Sequence, residues 1–444
     1  MSADAIVIGG GFAGLSAATA MAERGRRVLL LEARATLGGR ASTFTDPATG
    51  ERVDNGQHAL FGCYHETFRF LRRIGSDDAV RVQPTLALDI VDASGRCSRL
   101  SCPPLPAPLH LLAGVVTWRA IGWGDRVAMA RIGSVLLRAD RTSPDETVRE
   151  WLARHGQTPR LIDLFWGPLA VAALNQPIDV AAAAPFATVL RRMFTFNRRD
   201  ASVALPRTPL EELYARPAAD FLERRGSVVR VGSPARIERV AASDPIPLRV
   251  RVRDEEFAAP IVVCAVPWYA LAHVFADPSS YPELRDVFDA ARCTAASSIV
   301  TVNLWFDRAV TDVMFVGLPG RTMQWVFDKR LLVGEQTSHL SLVSSGAEAI
   351  VERTNRELID LALSDIAALP AARAAVLRRA VVVREKRATF SVAPGQPARP
   401  PTRTAVPGLL LAGDWIDTGL PATIESAVLS GHRAANFVMG SGVI

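Results

Sequence analysis

The stretch Ala5-Ile6-Val7-Ile8-Gly9-Gly10-Gly11-Phe12-Ala13-Gly14 decides how this chain folds. Four apolar residues in a row predict a short strand buried on both faces. Gly9, Gly11 and Gly14 then follow the spacing G-x-G-x-x-G. The Ala-rich stretch from Leu15 to Arg24, ending before Gly25, predicts a helix, and Val28 to Leu31 predicts a second buried strand. In such a βαβ unit Gly9 permits the tight turn, Gly11 lets the backbone approach a pyrophosphate, and Gly14 lets helix pack on strand. The helix N-terminus offers free N–H groups and a positive dipole end to an anion, and Phe12 and Ala13 of the turn before it are candidate cofactor-binding residues. Glu32, followed by Ala33, ends the second strand about 20 residues on, where an acid binds ribose hydroxyls. A dinucleotide site is therefore expected.

Composition sets the outer bounds. The 444 residues, 49% hydrophobic and 22% charged, are enough for two domains and a sizeable core. The formal charge of +6 is carried mostly by arginine. It would suit an anionic cofactor or an anionic membrane surface, but equally an arginine-rich proteome. No Lys/Arg block with interleaved aromatics occurs, so nucleic acid is not an expected partner. Cys63, Cys97, Cys102, Cys264 and Cys293 are scattered and form no CxxC pair. Neither a disulfide framework nor a metal site is expected, which fits a reducing cytoplasm. The N-terminus runs straight into a strand, so no signal peptide is expected, and no apolar run approaches the ~18 residues of a spanning helix.

Further along, helical patterns are expected to dominate from about Asp77 to Pro206. Alternating helix and strand return from Leu205 to Pro267, with a helix around Leu210 to Arg224 and strands at Val228 to Val231 and Ile261 to Ala265. Residues from Trp268 to about Arg384 read as a second insertion, with a strand at Ser298 to Phe306 and a helix from Ala347 to Leu369. Leu409 to Asp414 reads as strand and turn, followed by a helix from Thr423 to Val438. The fold class is α/β. One domain is assembled from residues 1–76, 207–268 and 385–444, and a second, α+β, fills the gaps at 77–206 and 269–384.

Three more motifs narrow the cofactor. Gly38-Gly39-Arg40 offers two glycines for backbone contact and a fixed cationic fork for phosphate. Placed six residues after Glu32, it resembles the extension of the flavin amine oxidase and phytoene desaturase superfamily. Ala412-Gly413-Asp414-Trp415, followed by Pro421-Ala422-Thr423-Ile424-Glu425, resembles that superfamily's second half-site. The resemblance implies a discontinuous Rossmann-type FAD-binding domain of the glutathione-reductase-like kind, beside a substrate-binding domain. It also implies that Asp414, next to Gly413, faces the ribityl–pyrophosphate side of FAD. The helix that begins at Thr423 and Ile424 would then aim its N-terminus at the isoalloxazine, where a positive end favours reduced flavin. Val231-Gly232-Ser233-Pro234-Ala235 matches a backbone contact to adenine, with Ala235 in place of the usual branched residue. Ala265-Val266-Pro267 matches a strand end near the cofactor.

Two segments are more particular. Asp54-Asn55-Gly56-Gln57-His58 precedes Gly62-Cys63-Tyr64-His65-Glu66-Thr67, and Phe165-Trp166-x-Pro168-Leu169 leads into Ala172-Ala173-Leu174-Asn175. With Leu205-Pro206, Leu210 and the segment Pro421 to Glu425, they resemble the squalene-associated flavoenzymes of bacterial hopanoid synthesis, the hydroxysqualene dehydroxylases. The resemblance spans essentially the whole chain. It implies that hydroxysqualene and reduced FAD give squalene, water and oxidised FAD. The hydroxyl carbon is allylic, so C–O cleavage leaves a delocalised cation that hydride can quench, and a positioned acid should assist the poor leaving group. An apolar cavity would keep water from the cation.

Asp54, His58, Tyr64 and Glu425 are the candidates for that acid. His58 comes first because an imidazole can be cationic near neutral pH; otherwise it merely orients its loop. Asp54 could instead hold the loop through backbone N–H groups. Two alternatives stay open: an oxidative desaturase or amine oxidase, and a non-catalytic prenyl-lipid escort protein. A single dinucleotide fingerprint names no electron donor for FAD. A long apolar substrate suggests peripheral contact with the inner face of the cytoplasmic membrane. Leu109 to Arg119, apolar with an aromatic and basic end, either docks there or is a buried helix of the substrate domain.

Overall fold

Five short strands, apolar throughout except for Arg230 on the edge, form one parallel sheet in the order Val228–Arg230, Val28–Leu31, Ala5–Ile8, Ile261–Cys264, Leu409–Leu411. The computed structural model describes residues 3–137, 142–240, 246 and 248–440. The central strands Ala5–Ile8 and Val28–Leu31 are buried at every position, as expected for a sheet covered on both faces. Three separated stretches of chain thus meet side by side. Ala5 pairs with Val28 on one edge and Ile261 on the other, so the glycine turn after Ile8 lies level with Leu31 and Cys264. Helix Phe12–Glu23 is buried along nearly its whole length and packs against the C-terminal helix Ile424–Gly440.

A second sheet of seven strands runs Leu377–Phe390, Ala296–Phe306, Ser338–Ser345, Trp325–Asp328, Phe315–Gly317, Ala87–Val91, Cys97–Ser101. It is antiparallel except where Gly317 meets Ile90. The sheet draws strands from both sides of the helical stretch. The expectation of helices from Asp77 onward therefore needs correction. Alternation in Ala87-Leu88-Asp89-Ile90-Val91 marks a half-buried strand, and after the 3-10 turn Asp77–Ala79 the α-helices begin only at Leu109–Thr117. The expected boundary at 384/385 falls inside the strand Leu377–Phe390, which pairs with Ala296–Phe306 over nearly its whole length.

The expected helix from Ala347 to Leu369 is shorter, Asn355–Ile366. Thr354 starts it with a capping box, its hydroxyl accepting from the Glu357 N–H while the Glu357 carboxylate accepts from the Thr354 N–H. The helix expected around Leu210 to Arg224 is present, but it opens with a π-helical turn at Glu211–Ala215 before the α-helix Arg216–Glu223. A second π turn, Ile162–Trp166, precedes the helix Gly167–Leu174; such turns re-aim side chains and recur at functional sites.

Candidate active site

The glycine turn, the Gly38-Gly39 turn, the turn after Leu411 and the loop 55–58 surround one cavity of about 700 Å3. Its first half brings the motif residues together. Gly9, Gly11, Phe12, Ala13, Glu32, Ala33, Gly38, Gly39, Arg40, Ala235, Gly413, Asp414, Thr423 and Ile424 all line it. Gly14 stands behind the wall, where a Cβ would lie 1.8 Å from the Gly9 carbonyl oxygen. Gly9 itself has φ +111°, open to glycine and costly for other residues.

Glu32 is buried, and its carboxylate accepts from the Gly10 N–H at 2.6 Å and the Arg34 N–H at 2.8 Å. It therefore pins the glycine turn as well as bordering the cavity. Arg40 reaches across the chain. One guanidinium nitrogen donates to the Ala388 carbonyl at 2.8 Å and another to Asp414 Oδ1 at 2.5 Å. Burial alone would weaken the Arg40 cation, but the adjoining Asp414 carboxylate holds its pKa above the usual value. The two motif residues, 374 positions apart, thus form one ion pair on the cavity wall.

Tyr214, which sequence reasoning passed over, stacks on Phe12 with ring centroids 3.6 Å apart. Its hydroxyl lies within hydrogen-bond distance of the Gly38 and Ala41 carbonyls, at 2.7 and 2.8 Å. It fixes the second glycine turn from beneath.

The residues present fit FAD. The N-terminus of helix Phe12–Glu23 has no side-chain cap, and a Cβ at Gly11 would have no protein neighbour closer than 3.8 Å. Uncapped N–H groups beside open space make an anion cradle. At the other end, Thr423 caps the helix Ile424–Gly440, accepting from the Ser426 N–H at 3.1 Å.

Beyond the cradle the cavity becomes apolar. Leu86, Leu88 and Ile90 line it from one side, Phe315 and Phe327 from another, and Leu164, Phe165, Pro168 and Leu169 from the π turn and its helix. The particular motif Phe165-Trp166-x-Pro168-Leu169 is therefore largely chamber wall.

The four acid candidates separate in space. His58 and Tyr64 line the cavity, whereas Asp54 and Glu425 do not. Asp54 Oδ1 accepts from the Thr43 hydroxyl at 2.7 Å and the Leu210 N–H at 3.0 Å, and Oδ2 faces Lys329 Nζ at 3.4 Å. It holds the loop and does not face the chamber. Glu425 accepts from the Glu66 N–H, the Thr67 N–H and the Thr67 hydroxyl at 3.0, 2.9 and 2.7 Å. It caps the first turn of helix His65–Ile74, from a position 1% exposed. Neither carboxylate faces the chamber, and both are held by backbone and hydroxyl donors, although burial pushes the Glu425 carboxyl above its ordinary value.

His58 Nδ1 lies 3.0 Å from the Gly56 carbonyl oxygen. A carbonyl only accepts, so Nδ1 carries the proton and Nε2 is the atom left to exchange one; among the described residues Nε2 has no hydrogen-bond partner. Burial pushes the imidazole below its ordinary value, opposed by Asp54 and the Gly56 carbonyl and assisted by Lys329. The ring therefore takes up its second proton less readily than a free imidazole. Once protonated it is a stronger acid than a free imidazole. Burial pushes the Tyr64 phenol far above its usual value, so Tyr64 stays protonated.

Among the described residues no group of His, Cys, Asp and Glu could hold a metal ion, and no helix is long and apolar enough to cross a membrane.

Comparison with known proteins agrees with this geometry. The family described as flavin containing amine oxidoreductase matches residues 12–439. The chain is 29% identical to the hydroxysqualene dehydroxylase of Zymomonas mobilis, covering 98% of each chain, and 28% identical to that of Rhodopseudomonas palustris, covering 100% of each. Among solved structures, an oxidoreductase from Methanosarcina mazei superposes with a TM-score of 0.75 over 97% of this chain and 99% of its own. That likeness, at 15% identity, is one of fold. With the family matched over nearly its whole length and a cradle built for the cofactor, the chain belongs to the flavin containing amine oxidoreductase family and is an FAD-dependent oxidoreductase.

Proposed function

We propose that the chain reductively dehydroxylates hydroxysqualene to squalene, in squalene and hopanoid synthesis. One observation carries this reading: the flavin cradle opens directly into an apolar chamber, with His58 on the wall. Full-length similarity to two hydroxysqualene dehydroxylases supports it. FAD, bound and reduced, supplies a hydride. The protein supplies the rest. The chamber side chains align a hydrocarbon and keep water from a developing allylic cation. Protonated His58 holds its acid proton at Nε2, ready for the departing hydroxyl oxygen, so that water leaves. The neutral Tyr64 hydroxyl adds a donor from the same side. The cofactor part is residues 1–76, 207–268 and 385–444, whose ends 1–2 and 441–444 lie outside the described residues. The substrate part is 77–206 and 269–384, with the strand Leu377–Phe390 shared between them.

The deciding experiment mixes pre-reduced enzyme with hydroxysqualene under anaerobic conditions. Flavin reoxidation with squalene formed in equal amount is expected. Reduction of the oxidised flavin by an amine, or oxidised enzyme introducing double bonds into a polyene, would favour the oxidative alternative.

The same reading includes membrane contact. Helix Leu109–Thr117 turns Leu109, Leu112 and Val116 outward, 54%, 43% and 50% exposed, so it is not a buried helix of the substrate part. Trp123, 71% exposed, continues the apolar surface, with Arg126 over its ring at 4.7 Å. Apolar anchors with a basic rim suit the interface of an anionic bilayer. Co-sedimentation with phosphatidylglycerol vesicles is expected at low salt, and Leu109→Asp/Trp123→Glu should abolish it while retaining FAD. Wild-type protein that ignores such vesicles would remove the docking idea.

A further inference from the structure

The chain contains 51 basic residues, yet only Lys329 and Lys386 are lysines, leaving 49 arginines. Lys386 is exposed and pairs with Glu352. Lys329 is 5% exposed. It opens a short helical turn, Lys329–Val333, directly after the strand Trp325–Asp328. Its ammonium lies 3.1 Å from Gln57 Oε1 and 3.4 Å from Asp54 Oδ2. Burying an ammonium is costly unless it is paired and bonded. In a chain that otherwise uses arginine, a compact ammonium at this one buried place has a chemical reason: a single nitrogen serves two acceptors where a planar guanidinium would need more room.

We infer that Lys329 is a positioning residue for the proton donor: through Gln57 and Asp54 it fixes loop 55–58, so that His58 presents Nε2 to the chamber. The inference rests on the reading of His58 as the acid. The two contacts bracket the loop, at the strand residue before it and the residue adjoining His58. Gln57 in turn directs Nε2 toward the His58 carbonyl at 3.3 Å. The loop is closed from the other side by Asn55, whose side-chain nitrogen donates to the Arg40 carbonyl at 2.7 Å. Lys329 thereby couples the seven-stranded sheet to the loop beside the flavin cradle. Its charge acts as well. Asp54, from the strand Arg52–Asp54, favours the His58 cation, and Lys329, from the opposing sheet, disfavours it. Tyr64 on the following loop, Glu385 on the strand Leu377–Phe390 and the Arg40–Asp414 pair supply the ionisable groups on the neighbouring walls.

The test follows the His58 ring by NMR in FAD-loaded, histidine-labelled protein, with the signal assigned by its loss in His58→Gln. In Lys329→Met the midpoint should rise by about one pH unit, because a repelling cation is gone and Asp54 is left unopposed. Asp54→Asn should lower it, and the double variant should return toward wild type. A merely structural pair would not produce opposite shifts. Gln57→Met, which cuts the contact but keeps both charges, should lower kcat about tenfold with little change in midpoint.

An unmoved midpoint in Lys329→Met with FAD bound overturns the proposal, as does wild-type kcat in Gln57→Met. If Lys329→Met does not fold, Asp54→Asn and Gln57→Met decide by the same readouts. Moved midpoints together with full turnover in His58→Gln would instead reject His58 as the acid and leave its coupling to Lys329 intact.

Discussion

His58→Ala should bind FAD with an unaltered visible spectrum and lose turnover by about 10²- to 10⁴-fold, the usual contribution of a positioned general acid. The geometry separates the two halves of this result. His58 makes no bond to the glycine turns or to the Arg40–Asp414 pair. Among the described residues its ring makes one hydrogen bond, to the Gly56 carbonyl at 3.0 Å. Loss of the ring leaves the cradle intact. The pH dependence gives a second readout. The reacting form is protonated, and burial holds the imidazole below its ordinary value of 6.5. Activity should therefore be present at low pH and fall as pH rises, with a midpoint below 6.5. His58→Asn distinguishes proton donation from loop orientation. The Asn amide can replace the bond to Gly56 but cannot donate an acid proton. If His58→Asn kept both wild-type turnover and the pH limb, the ring would be only a loop support.

Much of the cradle was legible because its determinants are local. A glycine spacing, the strand before it and the helix after it occupy one short stretch, and Glu32 follows within the same βαβ unit. Even there the sequence understated what the residues do. Glu32 spends two hydrogen bonds on the Gly10 and Arg34 amides, and Arg40 pairs with Asp414 as well as bordering the cavity. Such pairings join distant stretches, and no local pattern encodes them.

The acid candidates show where local reading stops. Asp54 and Glu425 sit in motifs that resemble a flavoenzyme family, and a carboxylate in such a motif invites a chemical role. Each instead satisfies orphan backbone donors, Asp54 at Leu210 and Glu425 at Glu66 and Thr67. A carboxylate that holds a loop and one that moves a proton look alike in one dimension. Lys329 was missed for a related reason. Asp328-Lys329-Arg330 reads as a solvated charge run, although Asp328 is fully buried and Lys329 nearly so. The available signal was compositional: two lysines among 49 arginines are conspicuous in the sequence alone.

Gly14→Val should yield protein that is colourless, insoluble, or both. The site is not strained by its own backbone angle; the obstacle is proximity. A Cβ at Gly14 would lie 1.8 Å from the Gly9 carbonyl oxygen and 3.3 Å from the Ala265 Cβ. The first contact is with backbone at the centre of the sheet, so no side-chain rotation relieves it. Ala5–Ile8 is fully buried between Val28–Leu31 and Ile261–Cys264, with strand registry on both edges. The strand cannot retreat, and the helix must lift instead. Lifting it carries away the uncapped N–H groups at its start and pulls against the C-terminal helix on its other face. The cost should exceed the ~1–3 kcal/mol usual for core overpacking, because the obstructing atom is backbone that cannot move aside. Even Gly14→Ala should fail to retain FAD through gel filtration, since the clash begins at Cβ. Gly133→Ala is the matched control: it lies inside helix Trp123–Leu137 with nothing within 4 Å of the added carbon. That change should keep flavin and raise stability by up to about 1 kcal/mol, the helix preference for alanine over glycine. A yellow, fully loaded Gly14→Ala protein with wild-type Tm would show that the helix can move off the strand without losing the cofactor, and that close packing at Gly14 is not what builds the cradle.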